Sequence, residues 1–267
     1  MTRSPGQLRT RKVGLIGGMS WPSTITYYRE VNRRMAARLG GSHSAHLIVW
    51  SADYHFVEQA QLSGDWQEAA RLVGEAAAAL EAAGADFLAI ACNTMHAVAD
   101  EVARYSSLPL VSLIDATVDA VAGCAQVALL GTSTTAAMPA FADAFAGAGI
   151  GVVDLGEQAQ RDLDRIIYSE LCLGHVRPDS ALRLREIGAS AVERGAEAVI
   201  LACTELNLLI GGVDGAAGVD GVEATSVPWL DTTVSHIDAI ADAALPRNQE
   251  IQEIQASEEI QERRNRC

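Results

Sequence analysis

The chain has 267 residues, 49% of them hydrophobic, so it can form one large domain or two smaller ones and is too apolar for a disordered protein. Its formal net charge of −14 excludes nucleic acid as a partner, because a duplex-binding protein needs a basic face to displace counterions. No apolar run reaches the roughly 18 residues of a membrane span, and segment 1–11 lacks the apolar core of a secretory signal. We therefore expect a cytoplasmic protein that binds neither nucleic acid nor membrane.

The first half of the chain alternates between strand-like and helix-like segments. Its predicted elements are strand 13–18, helix 25–39, strand 45–51, helix 65–83, strand 87–91, helix 96–105 and strand 109–113. Gly84 is placed to end the helix before it, and an apolar run then leads to Cys92. Alternating strands and helices favour a parallel sheet that helices cover on both faces.

The second half repeats this plan. Segment 127–132 matches 13–18 at an offset of 114 residues, and 195–203 matches 84–92 at an offset of 111. The other predicted elements here are helices 163–173, 180–194 and 232–244 and strand 199–202. We predict an α/β fold of two pseudo-symmetric domains, each a parallel sheet with helices on both faces, and an active site in the interdomain cleft. The predicted parts are a flexible leader (1–11), domain 1 (12–115, completed by about 230–245), domain 2 (116–229) and a charged C-terminal tail (246–267).

Each repeat ends its matched strand with a cysteine, Cys92 or Cys203. Ligands of open α/β sheets bind beyond the carboxyl ends of the strands, so both thiols are predicted to face one site. A single free cysteine is commonly a small buried hydrophobe, but two at equivalent positions of a repeat indicate function. Opposed thiols suit the inversion of a carbon centre, because one removes a proton from one face and the other returns a proton to the opposite face.

A cofactor is not expected. Pyridoxal phosphate, the usual aid to acidifying the α-proton of an amino acid, requires a lysine, and the only lysine, Lys12, precedes the first strand at the wrong end of the sheet. The pair Gly17-Gly18 lacks a full dinucleotide-binding pattern, and no phosphate-binding loop is present. The five cysteines show neither a disulfide framework nor the spacing of metal ligands, so no metal is predicted.

Four motifs in order resemble those of the aspartate/glutamate racemase family, over about residues 12 to 245. They are Gly17-Gly18-Met19-Ser20-Trp21, Cys92-Asn93-Thr94-Met95-His96, Leu130-Gly131-Thr132 and Cys203-Thr204-Glu205. The chain is most similar to the bacterial subgroup of broad-specificity and L-aspartate/glutamate enzymes. The resemblance implies a cofactor-independent amino-acid racemase in which Cys92 deprotonates the D-enantiomer and Cys203 the L-enantiomer. Some members have lost one cysteine, and this chain has both.

The resemblance also implies a set of substrate-binding residues: Met19, Ser20, Gln61, Asn93, Thr94, Thr132 and Thr204. Aspartate-directed relatives often carry a lysine where this chain has Cys172. A substrate with a side-chain carboxylate would here need an arginine, for which Arg29 is the candidate, although it is equally well read as a surface charge or an interdomain ion pair.

Weaker candidates border these motifs. His96 follows Cys92 by four residues and either activates the thiol or caps and packs the next helix. Glu205 either tunes Cys203 or is a helix N-terminal charge, and Asp53 and His55 are predicted in a loop beside the cleft. The remaining cysteines, Cys124, Cys172 and Cys267, lack a duplicated context and are read as structural or incidental.

Two other functions stay open. A maleate-isomerase-like or decarboxylase-like enzyme would use one cysteine as nucleophile or proton donor, and a ligand-binding regulatory protein would keep the fold without turnover. A binder has no need of both cysteines, so the intact pair favours an enzyme that acts on a free amino acid as its small-molecule substrate, with a homodimer as the expected assembly.

Overall fold

A computed structural model describes residues 10–210 and 226–245. The predicted leader (for residues 1–9) and the charged tail lie outside the described residues. The strands are β1 Val13–Gly17, β2 Leu47–Ser51, β3 Phe87–Ile90, β4 Leu110–Val111, β5 Gln126–Leu130, β6 Gly151–Val152, β7 Ala198–Leu201 and β8 Trp229–Asp231. The helices are α1 Trp21–Leu39, α2 Tyr54–Ser63, α3 Trp66–Ala82, α4 Ala99–Val102, α5 Leu113–Ala120, α6 Ser133–Ala136, α7 Pro139–Gly147, α8 Glu157–Ser169, α9 Pro178–Glu193, α10 Asn207–Ile210 and α11 Thr232–Ala244.

The eight strands form two parallel sheets of identical topology. Their orders are β2-β1-β3-β4 and β6-β5-β7-β8, and every strand pair is parallel. The first and third strands of each half are neighbours at the centre, so β1 pairs with β3 as β5 pairs with β7. The predicted α/β fold of two pseudo-symmetric domains is confirmed.

Helices cover both faces of each sheet because the central strands are apolar on both sides. All four residues of β3 and all four of β7 are buried. In the first domain, α1 and α11 pack on one face, and α2 and α3 on the other. In the second, α5 and α7 cover one face, and α8 and α9 the other. A strand buried on both faces reads as a continuous apolar run, which is why these two were recognisable in the sequence.

Helix α11 follows the last strand of the second sheet and returns to the first domain. Its buried residues Ile237 and Ile240 pack in one cluster with Val13 and Phe87. A buried histidine of this helix, His236, donates from Nε2 to the Val111 carbonyl oxygen at 2.9 Å. The two domains are therefore connected twice, by the segment that joins them along the chain and by α11, which follows the second sheet and packs on the first domain.

Several predicted boundaries are wrong for local reasons. The strand predicted over 109–113 is only Leu110–Val111, because Ser112 caps α5 by accepting a hydrogen bond from the Asp115 N–H at 3.1 Å. The helix predicted over 96–105 starts as a 3₁₀ turn at Thr94–Val98 and continues only as α4. The helix predicted over 163–173 ends at Ser169 and gives way to a 3₁₀ turn, Leu171–Leu173.

Within the described ranges, no helix has the length and apolarity that crossing a membrane requires.

Candidate active site

A cavity of about 490 Å³ opens between the two domains at the carboxyl ends of their central strands. Both predicted cysteines line it: Cys92 lies two residues beyond the end of β3, and Cys203 two residues beyond the end of β7. Each is about nine-tenths buried. The repeat thus delivers one thiol from each domain to a common cavity.

The pseudo-symmetry extends to the contacts around the cavity. The loop after β3 meets the segment after β5, where the Thr94 and Thr135 hydroxyl oxygens are 3.1 Å apart. In the same way the loop after β7 meets the segment after β1, where the Ser23 hydroxyl donates to the Thr204 hydroxyl oxygen at 3.0 Å. Hydroxyl groups therefore join the domains on both sides of the thiols.

Asn93 is a buried polar residue of the cavity whose side chain lacks hydrogen-bond partners in the described protein. Its side chain is 96% buried, and neither its amide nitrogen nor its carbonyl oxygen has a hydrogen-bond partner in the described protein. An unpartnered buried amide costs about 1–3 kcal/mol, so native proteins satisfy such groups unless a ligand does so. The residue therefore indicates a polar ligand in this cavity.

Glu205 connects Cys203 to the first domain. Its Oε2 accepts from the Cys203 thiol at 3.2 Å and from the Thr204 hydroxyl at 2.7 Å. Its Oε1 lies 3.2 Å from the Ser20 Oγ and 3.3 Å from the Ser23 Oγ. The carboxylate is thus held by hydroxyl and thiol donors from both domains, and it acts directly on the Cys203 thiol.

The two thiols have unlike surroundings. Burial raises the pKa of Cys92 to about 11, the charge of Glu205 adds to the rise, and the N–H groups of Met95 and Thr94 oppose it. Burial also raises the pKa of Cys203 well above its ordinary value, and the adjacent Glu205 carboxylate raises it further. With their pKa values raised, both sulfurs are protonated near neutral pH, and Glu205 acts on Cys203 by direct contact.

We expect the substitution Glu205→Gln to lower the pKa of Cys203, because it removes the neighbouring negative charge. Alkylation of Cys203 by iodoacetamide at about pH 8 should accelerate about tenfold, measured by mass spectrometry of the Cys203 peptide. Glu58→Gln is the matched control, since Glu58 acts on Tyr54 and Cys172 and not on Cys203. An unchanged Cys203 profile in Glu205→Gln would contradict the assignment.

The structure places most of the predicted site residues together. Those that line the cavity are Met19, Ser20, Gln61, Cys92, Asn93, Thr94, Thr132, Cys203, Thr204 and Glu205. Gln61 also donates to the Met95 sulfur at 3.1 Å. Positions close to the strand ends dominate this set, as expected for an open α/β sheet.

Arg29, Asp53 and His55 are not among the described residues lining the cavity. The Arg29 Nε donates to the Glu30 carboxylate at 3.1 Å on α1, which fits the ion-pair reading of this residue, and its role in binding a substrate carboxylate stays a prediction. Asp53 lies in the short connection between β2 and α2, where it is the N-cap of α2 and accepts from the His55 N–H at 3.2 Å, while His55 lies in the helix. The sequence reading had missed that helix altogether.

Of the two readings of His96, activation of Cys92 or packing of the next segment, the hydrogen bonds fit the second. His96 is 3% exposed, and its Nδ1 donates to the Cys92 carbonyl oxygen at 2.8 Å while its Nε2 accepts from the Leu113 N–H at 3.0 Å. Both ring nitrogens are therefore used by backbone groups, and burial lowers the pKa of His96 to about 4. The histidine holds the loop after β3 against α5.

His236 is its structural companion, with the two rings edge to face at 5.9 Å. Its Nδ1 accepts from the Tyr27 hydroxyl at 2.9 Å, and burial, with His96 nearby, lowers its pKa to about 3. Both imidazoles are therefore neutral in the folded protein at neutral pH.

This pair predicts acid sensitivity of the fold. Both folded-state pKa values lie below the unfolded value of about 6.5, so the unfolded chain binds the additional protons and stability is lost as the pH falls from about 6.5 towards 4. Urea unfolding should show the free energy of unfolding falling by about 3 kcal/mol between about pH 7 and 5 from these groups. NMR titration should show both imidazoles still neutral at about pH 5. Protonation of either in the folded protein near pH 6.5 would contradict this account.

The sequence reading missed part of the cavity wall. The described residues concerned are Trp21, Pro22, Tyr54, Thr135, Ile167, Tyr168, Leu171, Cys172, Gly174, Ala202 and Leu208. Cys172, which had been read as structural or incidental, lines the cavity from the turn after α8. Two of these residues carried a signal in the sequence: Trp21 ends the first quoted motif, and Cys172 stands where aspartate-directed relatives often carry a lysine.

No cluster of three or more histidine, cysteine, aspartate or glutamate side chains is placed to hold a metal ion within the part of the chain that the structure describes. Lys12 lies just before β1 at the amino end of the first sheet, and the cavity lies at the carboxyl end.

Comparison with known proteins adds to this geometry. A model of the family "Asp/Glu/Hydantoin racemase" matches residues 16–240. An assigned Asp/Glu racemase structure from Yersinia pestis is 40% identical, with a TM-score of 0.79, over 88% of this chain and 99% of that one. An aspartate racemase homologue from Pyrococcus horikoshii is 30% identical, with a TM-score of 0.71, over 87% and 99% of the two chains. The broad-specificity amino-acid racemase RacX of Bacillus subtilis is 24% identical over 74% of this chain and 87% of that protein.

The family match covers most of the chain, and both structures share its fold over nearly their whole length. The resemblance inferred from the four motifs is confirmed, as is the assignment to the racemase class of isomerases. This chain belongs to the Asp/Glu/hydantoin racemase family.

Proposed function

We propose that the protein is a cofactor-independent amino-acid racemase that inverts the α-carbon by two-base proton transfer between Cys92 and Cys203. The observation that carries this proposal is the delivery of one buried thiol from each pseudo-symmetric domain to a single cavity. Racemisation needs a base on one face of a carbon and an acid on the other, which paired thiols supply.

The proton balance is simple. A thiolate at Cys92 takes the α-proton, so that an S–H bond forms as the C–H bond breaks and the electron pair remains on a carbanion conjugated with the carboxylate. The thiol of Cys203 then protonates the opposite face and becomes the thiolate. The family resemblance assigns this direction to the D-enantiomer, and the reverse sequence to the L-enantiomer.

The substrate's own charges complete the site. Its α-carboxylate pairs with the Asn93 amide, which has no partner in the described protein, and with the hydroxyl groups of Thr94 and Thr132, which both lie within hydrogen-bond distance of the Thr135 hydroxyl. Its ammonium group brings positive charge next to thiols whose pKa values burial and Glu205 raise. Binding therefore lowers the pKa of the attacking thiol where the base is needed.

The test is α-proton exchange in deuterated water on a panel of D- and L-amino acids without added cofactor. We expect deuterium incorporation at the α-carbon together with inversion, followed by NMR and chiral chromatography. If no amino acid on the panel exchanges or inverts, the protein is not an amino-acid racemase.

A further inference from the structure

The cavity has a polar floor and an apolar rim. The floor carries the buried thiols together with Asn93 and Thr132, which are 4% and 6% exposed. The rim is formed by large and more exposed groups, among them Trp21, Tyr168 and Leu208 at 66%, 48% and 48% exposure. An amino acid whose α-carbon lies between the thiols therefore directs its side chain towards the rim.

Charges around the rim are acidic. None of the described residues that line the cavity is a lysine, arginine or histidine, and the lining carboxylate is Glu205. Glu58 adds negative charge near Tyr54 and Cys172, and Asp164 does so near Tyr168. The nearby Arg165 is paired with the buried carboxylate of Glu170.

The pKa values of two groups in the cavity wall, Cys172 and Tyr54, are both raised. Burial raises the pKa of Cys172 to about 11, and the charges of Glu205 and Glu58 contribute to the rise. Burial and nearby negative charge raise the pKa of Tyr54 in the same way. A second carboxylate at the rim would meet the same burial and the same repulsion.

Resting on the proposed racemase function, we infer that the rim selects amino acids with uncharged or cationic side chains and excludes aspartate and glutamate. The α-carboxylate uses the amide and hydroxyl donors of the floor, and the described rim offers no cation for a second carboxylate. A carboxylate at this partly exposed rim would lose some of its hydration and be repelled by the nearby carboxylates without a described cation to pair with, whereas an amide, an alkyl group or an ammonium group at the same place does not meet this repulsion.

Two substrates of nearly equal shape that differ in side-chain charge separate the effect of charge from the effect of size. We expect kcat/KM for α-proton exchange to be about 100-fold higher for glutamine than for glutamate and for asparagine than for aspartate, with leucine, methionine and lysine also accepted. Glutamate or aspartate as the best substrate would overturn this inference and leave the racemase proposal standing. Exchange with no amino acid would overturn both.

A substitution at the rim gives a second test. Cys172→Arg introduces a cation where the wall now has a thiol, so the ratio of kcat/KM for glutamate to that for glutamine should rise at least about tenfold. Cys172→Met is the matched control of similar shape without charge, and its ratio should stay at the wild-type value. An unchanged ratio in Cys172→Arg, or an equal rise in Cys172→Met, would show that charge at the rim does not set specificity.

Discussion

Replacing either Cys92 or Cys203 by serine should reduce inversion by at least about 1000-fold, because a hydroxyl is a far weaker base than a thiol near neutral pH. Each sulfur is the only thiol that its domain contributes from the end of a central strand, so neither can stand in for the other. The measurement is the rate of interconversion of the two enantiomers by chiral chromatography.

Each single variant should also behave differently from a protein that has lost its fold. The remaining thiol can still take a proton from its own face and return a solvent deuteron to that face, so each variant should exchange one enantiomer without inverting it. The resemblance assigns the D-enantiomer to Cys92 and the L-enantiomer to Cys203. Cys124→Ser, at a half-buried thiol that is not among the described cavity residues, is the control and should racemise normally. Full inversion by either single variant would refute the two-base mechanism, and activity that needs only one of the thiols would favour the isomerase or decarboxylase alternative.

Asn93→Leu should separate function from stability. Leucine has nearly the shape of asparagine, so the variant removes an amide that has no hydrogen-bond partner in the described protein without creating a void. We expect kcat/KM to fall about 100-fold, as when a donor to a developing charge is lost, while the free energy of unfolding stays the same or rises. Enzyme kinetics and urea unfolding on the same preparation measure the two effects.

The matched control is Asn32→Leu on α1, where the Asn32 amide donates to the Tyr28 carbonyl oxygen at 2.7 Å and its carbonyl accepts from the Ala45 N–H at 2.9 Å. That variant should lose stability and keep kcat/KM. If Asn93→Leu were destabilised and fully active, Asn93 would be a structural residue and not a ligand-binding one.

The sequence was sufficient for the fold class and for the two thiols. Strands buried on both faces, such as β3 and β7, are continuous apolar runs, and a repeat of the whole plan places their ends at equivalent points. Cys92 and Cys203 could be paired on that ground alone. Residues next to the cysteines in the chain, such as Asn93 and Glu205, could be assigned to the same site, because a loop that follows a strand stays near the end of that strand.

The repeat and the apolar patterns could not identify side chains that reach the cavity from other helices and turns. Cys172 and Tyr168 come to the cavity from the end of α8 and the turn after it, and Arg29 is committed to Glu30 on α1. His96 was judged by its distance along the chain from Cys92, but its ring nitrogens bond to backbone groups of two different segments. Such contacts depend on how helices pack, and one sequence does not reveal which face of a helix meets which loop.

By itself the sequence determined the repeat, the parallel α/β plan and the cysteine pair, because these follow from local apolar patterns and from their recurrence. Only the tertiary structure decided what surrounds the thiols. It showed the Asn93 amide without a hydrogen-bond partner in the described protein, the Glu205 carboxylate bonded to residues of both domains, and a rim without a described cation. The physical reason is that hydrogen bonds and charge–charge contacts act over a few ångströms in space, between residues as far apart in the chain as Ser20 and Glu205.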